Sequence, residues 1–312
     1  MLKIEDIKNR NCYLLDFSYH LYRSYYSLMS LSITLPSGVV KPSGHIFGLV
    51  NTVLKVREAD PEGLIFLAID GYPEDRRQLA KDNGVEYKAD RPKLQYSIHQ
   101  DTSLICDLIY HIPGVYTLEN DSVEADDLMF AMAKKLDKSN NVYIYTTDND
   151  LLQTLDSNVS IIKKWNSLND PELVTLTSYY EDEKLTKKFA GTHPNKLPFY
   201  RALCGDSSDN IKGIHRLPRV VAGLIANNIN SPEEYKNVVE KFSHCCTKSQ
   251  IKYLYEIERQ ADRIIGNYNI MRLYDTVEFE IVREPKPIKE VLEVYQLTKY
   301  TDWLKQHKIS II

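Results

Sequence analysis

Apolar residues in the first half of the chain fall into short unbroken runs, separated by stretches with helical spacing. "CYLLDF" (12–17), "GLIFLAID" (63–70) and "NVYIYTTD" (141–148) read as strands. They lack polar alternation, as strands buried on both faces do. Between them, helices are expected from about Ser18 to Met29, over "SGHIFGLVNTVLKVRE" (43–58) with Ser43 as N-cap, and over "SVEADDLMFAMAKKL" (122–136). The last of these places acidic residues in its first turn and lysines near its end, as the helix dipole favours. Strands alternating with helices predict an α/β domain with a mostly parallel sheet covered on both faces.

The strand signal fades near residue 187. "HPNKLPFYRALCGDSSDNIKGI" (193–214) and "LPRVVAGLIANN" (217–228) read as short helices joined by turns, and "SPEEYKNVVEKF" (231–242) and "KSQIKYLYEIERQADRIIGNYNIMRLY" (248–274) as longer helices. The expected organisation is an α/β core over 1–185 and a helical region over 186–312. No repeat or low-complexity segment interrupts it. The charged, turn-rich stretch 70–96 is too long for a simple connection, and such segments are often functional.

Composition narrows the setting. The chain has 312 residues, 43% of them hydrophobic and 26% charged, which is ordinary for a globular protein. No apolar run approaches the roughly 20 residues of a membrane span, and the N-terminus lacks the pattern of a signal peptide. Five cysteines without a C-x-x-C pair are read as reduced thiols, which points to the cytoplasm. The run His244, Cys245, Cys246 is read as structural rather than as a zinc site. His45 and His99 are read as packing or surface residues.

The chemistry lies in the carboxylates. The three apolar runs end in Asp16, Asp70 and Asp148. Ligands of open α/β sheets bind outside the carboxyl ends of the strands, so three parallel strands bring these groups to one rim. Glu124, Asp126 and Asp127 begin a helix and Asp150 begins the turn after the third strand, both able to face that rim. Asp206 and Asp209, three apart, share one face of a helical turn. Carboxylates gathered in one cleft repel each other and raise each other's pKa, and a divalent cation relieves this. Ligation by oxygen alone, without His or Cys, fits Mg²⁺ or Mn²⁺ rather than zinc.

Taken in order, "LLDFSYHLYR", "FLAID", "EYKADRP", "VEADDL", "TTDNDLLQ" and "GDSSDNIKGI" resemble the 5′-nuclease family of flap endonucleases and 5′–3′ exonucleases over about residues 11 to 225. That family includes the N-terminal domains of bacterial DNA polymerase I and free-standing bacteriophage enzymes. No polymerase region follows here, so the free-standing form is expected, as a cytoplasmic monomer. The resemblance implies a PIN-like nuclease core, a helical arch at about 72–100 and a helix–three-turn–helix at about 203–228. It places Asp16, Asp70, Glu124, Asp126, Asp127, Asp148, Asp150, Asp206 and Asp209 on the family's metal-binding positions. It implies two or more Mg²⁺ ions, with Mn²⁺ able to substitute, and cleavage that leaves a 5′-phosphate and a 3′-hydroxyl. Asp70, Glu124 and Asp126 are assigned to one ion and Asp150, Asp206 and Asp209 to the other, with Asp148 between.

Lys88 and Arg91 fall on the arch's phosphate-holding positions and are the catalytic cations the resemblance implies. Tyr87 is placed to stack on a base, and Arg23 matches a phosphate-contacting arginine. The family follows its last acidic pair with G-I-x-G-I-G-x-K-x-A, whereas this chain has "GIHRLPRVVA" (213–222). Arg216 and Pro218 replace two glycines. Pro218 has no amide hydrogen to offer, which puts the family's potassium site in doubt. Contact with duplex is then expected from Lys212, Arg216 and Arg219.

Setting the nine site carboxylates aside turns the net charge of −4 into +5, a mildly basic surface suited to phosphate. Expected substrates are branched DNA with 5′ flaps and RNA primers on DNA, during replication, with a single-strand binding protein or a clamp as a candidate partner. Residues beyond about 230 are read as scaffold. Two rival readings stand beside this one. One is a catalytically silent DNA-binding relative, against which the complete carboxylate set argues. The other is a PIN-type ribonuclease, against which the arch and "GDSSDNI" argue.

Overall fold

The computed structural model describes residues 2–89, 97–136, 138–167 and 170–309. In chain order its strands are β1 (Asn11–Asp16), β2 (Ser32–Thr34), β3 (Val40–Pro42), β4 (Leu64–Ala68), β5 (Val115–Glu119), β6 (Asn141–Tyr145), β7 (Val159–Ser167), β8 (Asp170–Val174), β9 (Gly205–Asp206), β10 (Ile211–Lys212) and β11 (Glu280–Val282). The helices of the first half are α1 (Phe17–Ser27), α2 (Gly44–Ala59), α3 (Glu74–Asp82), α4 (Thr102–Ile109) and α5 (Ala125–Lys135). Those that follow are α6 (Leu176–Glu181), α7 (Glu183–Phe189), α8 (Leu197–Cys204), α9 (Arg219–Asn228), α10 (Val238–Phe242), α11 (Lys248–Arg259), α12 (Ala261–Met271), α13 (Lys289–Tyr295) and α14 (Thr298–Gln306).

Seven strands form one sheet in the order β11-β5-β4-β1-β6-β7-β8. The five inner strands are parallel, and β11 and β8 close the two edges antiparallel. The chain winds outward from β1 through β4 to β5, then crosses back to β6 on the other side of β1. Strand order therefore reverses between β1 and β6, and a cleft opens at the carboxyl ends of strands at such a point.

Successive side chains of β1 point to opposite faces, and both faces are apolar. Cys12 and Leu14 join Phe66, Val142, Ile144 and Ile161 on one side, where residues of α5 and of the helices from α8 to α12 cover them. Tyr13 and Leu15 join Ile65, Leu67 and Ile162 on the other, beneath α1, α2 and α4.

Two sequence expectations need correction here. The boundary near residue 185 does not divide the core, because the same apolar cluster runs from Leu14 and Ile144 through Leu203, Ile225 and Ile264. The region 186–312 is not wholly helical. β11 pairs with β5 at the sheet edge, and Leu292, Tyr300, Trp303 and Leu304 pack on the face covered by α2 and α4. Ser43 stands at the N-cap position of α2, but its side chain makes no capping hydrogen bond.

Within the expected arch, α3 is followed by a turn at Gly84, and Arg91 lies outside the described residues. The foot of this segment is tied to the second half of the chain. Asn83 Nδ2 donates to the Arg263 carbonyl at 3.1 Å and to Asn267 Oδ1 at 2.9 Å. A Cβ at Gly266 would come within 2.3 Å of the Asn83 side chain, so that approach requires glycine. Over the expected helix–three-turn–helix, α8 and α9 are joined by a connection containing the short β9–β10 ladder. Among the described residues, no helix is long and apolar enough to cross a membrane.

Candidate active site

Only Asp16 is the last residue of its strand. β4 stops at Ala68 and β6 at Tyr145, so Asp70 and Asp148 sit two and three residues beyond. Backbone amides hold them instead of the ladder. Asp16 Oδ1 accepts from Tyr19 N at 2.8 Å and caps α1. Asp70 Oδ1 accepts from Ala125 N, the first residue of α5, at 2.9 Å. Asp148 Oδ1 accepts from Asp150 N at 2.8 Å, and Asp206 Oδ1 from Ser208 N at 2.8 Å. Each of these carboxylates spends one oxygen on an amide, which aims the other.

The rim so formed carries uncompensated negative charge. Burial, and then Asp148, Asp16 and Asp70, hold the Asp126 carboxyl well above its ordinary range. Burial, and then Asp70, push Asp16 up to about 7 against the opposing Tyr19 amide. Lys88 is a cation that lowers both. A second group adjoins the first. Asp150, Asp206 and Asp209 each present an oxygen within 4.8 Å of the others, a spacing that a metal ion fits.

Two acids beside the rim share a buried arginine. Glu124 and Asp127 are three apart and share a helical face that Asp126 does not. Arg76 of α3 lies buried against that face. Its Nη1 donates to Glu124 Oε2 at 2.8 Å, and its Nη2 donates to both Asp127 oxygens at 2.8 Å. Asp127 also accepts from Tyr274 N at 2.9 Å. The expectation that Asp127 faces the rim as a metal ligand is thereby corrected: its oxygens are taken by Arg76 and a backbone amide. Glu124 additionally accepts from Tyr87 Oη at 3.1 Å and pairs with Lys88 at 2.5 Å. Burial raises the Glu124 carboxyl, but Lys88 and Arg76 outweigh it and hold its pKa below the ordinary value.

Lys88 borders the first group, and Arg216 and Arg219 border the second. Lys88 adopts a left-handed backbone, φ +56°. Arg216 and Arg219 line a cleft of about 560 Å³ together with Asp148, Asp150, Asp206 and Lys188. Arg216 has φ +55°, in the left-handed region that favours glycine. Lys212 lies on β10, and its carbonyl accepts from Asn267 Nδ2 at 3.0 Å. Arg23 is exposed on α1, with Nη1 donating to Tyr145 Oη at 3.1 Å.

Sequence reasoning missed Arg76 and Arg201. Arg201, in the last turn of α8, bridges Asp150 and Asp206 through its two terminal nitrogens. Nothing in "EDRRQ" distinguishes the buried Arg76 from Arg77, which lies over the Tyr72 ring. Nothing in the sequence around Arg201 marks it as the partner of Asp206, five residues on.

The family model described as 5′-3′ exonuclease, N-terminal resolvase-like domain, matches residues 11–190. The chain belongs to the 5′–3′ exonuclease family. Its relatives include a 5′–3′ exonuclease of Aquifex aeolicus, 28% identical over 90% of this chain and 87% of that protein. One from Buchnera aphidicola is 28% identical over 77% of this chain and 74% of its own length. Among solved structures, a flap endonuclease of bacteriophage T5, in a pseudo-enzyme–product complex with DNA and metal ions, shares the fold. Its TM-score is 0.56 at 17% identity, covering 95% of this chain and 98% of that one. In this exonuclease-family chain the acidic rim therefore lies within the matched region, while Asp206 and Asp209 lie beyond it.

Proposed function

We propose that this chain is a divalent-metal-dependent, structure-specific 5′ nuclease that hydrolyses phosphodiester bonds of 5′ flaps and of RNA primers paired to DNA. The observation that carries the reading is the rim itself, four mutually repelling carboxylates at Asp16, Asp70, Asp126 and Asp148, at the point where strand order reverses. A fold keeps such a cluster when a cation completes it. The donors are all oxygens, which suits Mg²⁺, with Mn²⁺ able to substitute. Asp16, Asp70, Asp126 and Asp148 would hold one ion with Glu124 behind them, and Asp150, Asp206 and Asp209 the other. Paired ions supply activation of a water and stabilisation of the leaving oxygen.

The chain's own residues do the rest. Lys88 and Arg91 draw the scissile phosphate toward the rim, and Tyr87 stacks a base beside it. Arg23 takes a neighbouring phosphate of the same strand. Arg216, Arg219 and Lys212 hold the duplex by its backbone, which positions the substrate without reading its sequence. Lys88 also pairs with Glu124, so binding phosphate and releasing Glu124 are linked at one ammonium. With Pro218 offering no amide, side chains replace the potassium ion in that grip. The relationship to DNA polymerase I proteins supports a role in primer removal during replication, with a clamp or a single-strand binding protein as partner.

The test compares cleavage of a 5′-flap DNA and a single-stranded RNA of equal length, each in Mg²⁺ and in EDTA. Metal-dependent cutting of the flap near its junction supports the proposal. Preferential cutting of the RNA, or flap binding without cutting in any metal, would overturn it.

A further inference from the structure

A guanidinium bridges two of the three carboxylates in the second group. Arg201 Nη1 pairs with Asp150 Oδ1 and Nη2 with Asp206 Oδ2. The three side chains are 13%, 22% and 11% exposed, so the bridge is largely shielded from water and stronger than a surface pair. At Asp206, burial raises the carboxyl but Arg201 leads the contacts that hold it below its ordinary value.

We propose that Arg201 is a resident competitor for the divalent ion at Asp150, Asp206 and Asp209, and that DNA phosphate draws it away. The inference rests on the reading that these carboxylates hold an ion. A lone pair that accepts from the guanidinium cannot also bind the ion. Mg²⁺ sits about 2.0–2.1 Å from its oxygen ligands, which leaves no room for a guanidinium nitrogen on the same lone pairs. The backbone of Arg201 stays where it is, in the last turn of α8, where helix carbonyls favour a cation. Its long side chain is the part that turns.

The destination is on the same cleft. Lys188, Arg216 and Arg219 line it together with Asp150, Arg201 and Asp206. A phosphate drawn in by those three cations would offer Arg201 a two-oxygen acceptor matched to its fork. Without DNA, Arg201 has the carboxylates as partners and the second ion binds weakly. With DNA, the guanidinium has somewhere else to go and the site opens. Metal and DNA then bind cooperatively, and linkage makes the coupling reciprocal. The second ion is recruited only when there is a strand to cut.

The test reads metal binding rather than activity. Mn²⁺ binding to DNA-free protein is measured by paramagnetic resonance and calorimetry for wild type, Arg201→Gln, Arg201→Lys and Asp206→Asn. Binding of a 5′-flap DNA is measured in Ca²⁺ and in EDTA. Arg201→Gln should tighten the weaker Mn²⁺ site by roughly tenfold or more, the scale of a close charge pair. It should also shrink the factor by which Ca²⁺ tightens DNA, and lower the melting temperature of metal-free protein. Arg201→Lys keeps the charge but reaches only one carboxylate, so it should tighten the site by a smaller factor. That variant carries the test if the glutamine form does not fold. A weaker site that is lost in Asp206→Asn yet unchanged in both Arg201 variants would overturn the inference and leave the metal reading standing. A weaker site that survives Asp206→Asn would overturn the metal reading itself, and the inference with it.

Discussion

Replacing Asp16 by asparagine removes one negative charge from the rim and leaves the cap of α1 in place, because an asparagine oxygen accepts from Tyr19 N as well as an aspartate oxygen does. The Asp16 carboxyl is raised from 3.8 to about 7 by burial and by Asp70. Each pK unit corresponds to about 1.36 kcal/mol, so the charged form costs at most about 4 kcal/mol in the folded, metal-free protein. The rim is partly open to water and its members share protons, which reduces the figure to roughly 2 kcal/mol. A carboxyl whose folded pKa lies above its unfolded value binds its proton more tightly when folded. The contribution of Asp16 to stability therefore falls as pH rises from about 4 to about 7, and is flat above that. Asp16→Asn should match wild type near pH 4 and gain about 2 kcal/mol at pH 8 in EDTA, a rise of roughly 4 °C for a chain of this size. Added Mg²⁺ should cancel or reverse the gain, since wild type then draws on a ligand the variant lacks. Urea and thermal melts across pH 4–8, with and without Mg²⁺, are the assay. Equal or lower stability of the variant at pH 8 in EDTA would show that the rim is not a repulsive cluster awaiting a cation.

Lys88→Ala should slow single-turnover flap cleavage by about 10²-fold, the scale of one lost phosphate donor, with the fold unchanged by circular dichroism; a wild-type rate would remove Lys88 from the reaction. Arg216→Ala should weaken duplex binding and flatten its log–log salt dependence by about one unit, whereas an unchanged slope would mean that Arg216 faces away from phosphate. Arg216→Gly should lose the same binding yet gain about 1 kcal/mol in denaturant melts, because glycine adopts the left-handed backbone without strain. Arg76→Met should destabilise by about 3–5 kcal/mol, because it strands Glu124 and Asp127 as buried charges; a loss under about 1 kcal/mol would show that water reaches them.

The sheet's centre was legible because strands buried on both faces must be apolar throughout, and β1, β4 and β6 are. β5 was not read, since Thr117 interrupts it; that hydroxyl is fully buried and satisfied by Tyr110 Oη at 2.6 Å. β7 carries Lys163 and Lys164 among its apolar residues and breaks the same pattern. The return of the chain end was hidden for a different reason. Leu292, Tyr295, Tyr300 and Trp303 have amphipathic spacing, but spacing names a buried face and not the surface it meets. The acidic positions were legible by residue type, and their division was partly legible too. Glu124 and Asp127 share a helical face by spacing alone, whereas the partner on that face, Arg76, comes from 48 residues upstream of Glu124. Arg201 was invisible because nothing local marks which lysine or arginine will fold back onto an acid.

The amide locks on Asp16, Asp70, Asp148 and Asp206 have a bearing on how such chains would lose their activity over time. Each aspartate does two jobs, and only one of them needs charge. Asparagine can accept from the same amide, so helix starts and turns survive a change that would silence the proposed metal site. Decay of a copy released from selection would then pass first through aspartate-to-asparagine exchanges, which leave a folded, DNA-gripping protein, and only later through changes that break the caps. Persistence of a polar residue at these positions speaks to architecture. The charge is present at all four positions here, as the proposed metal site requires.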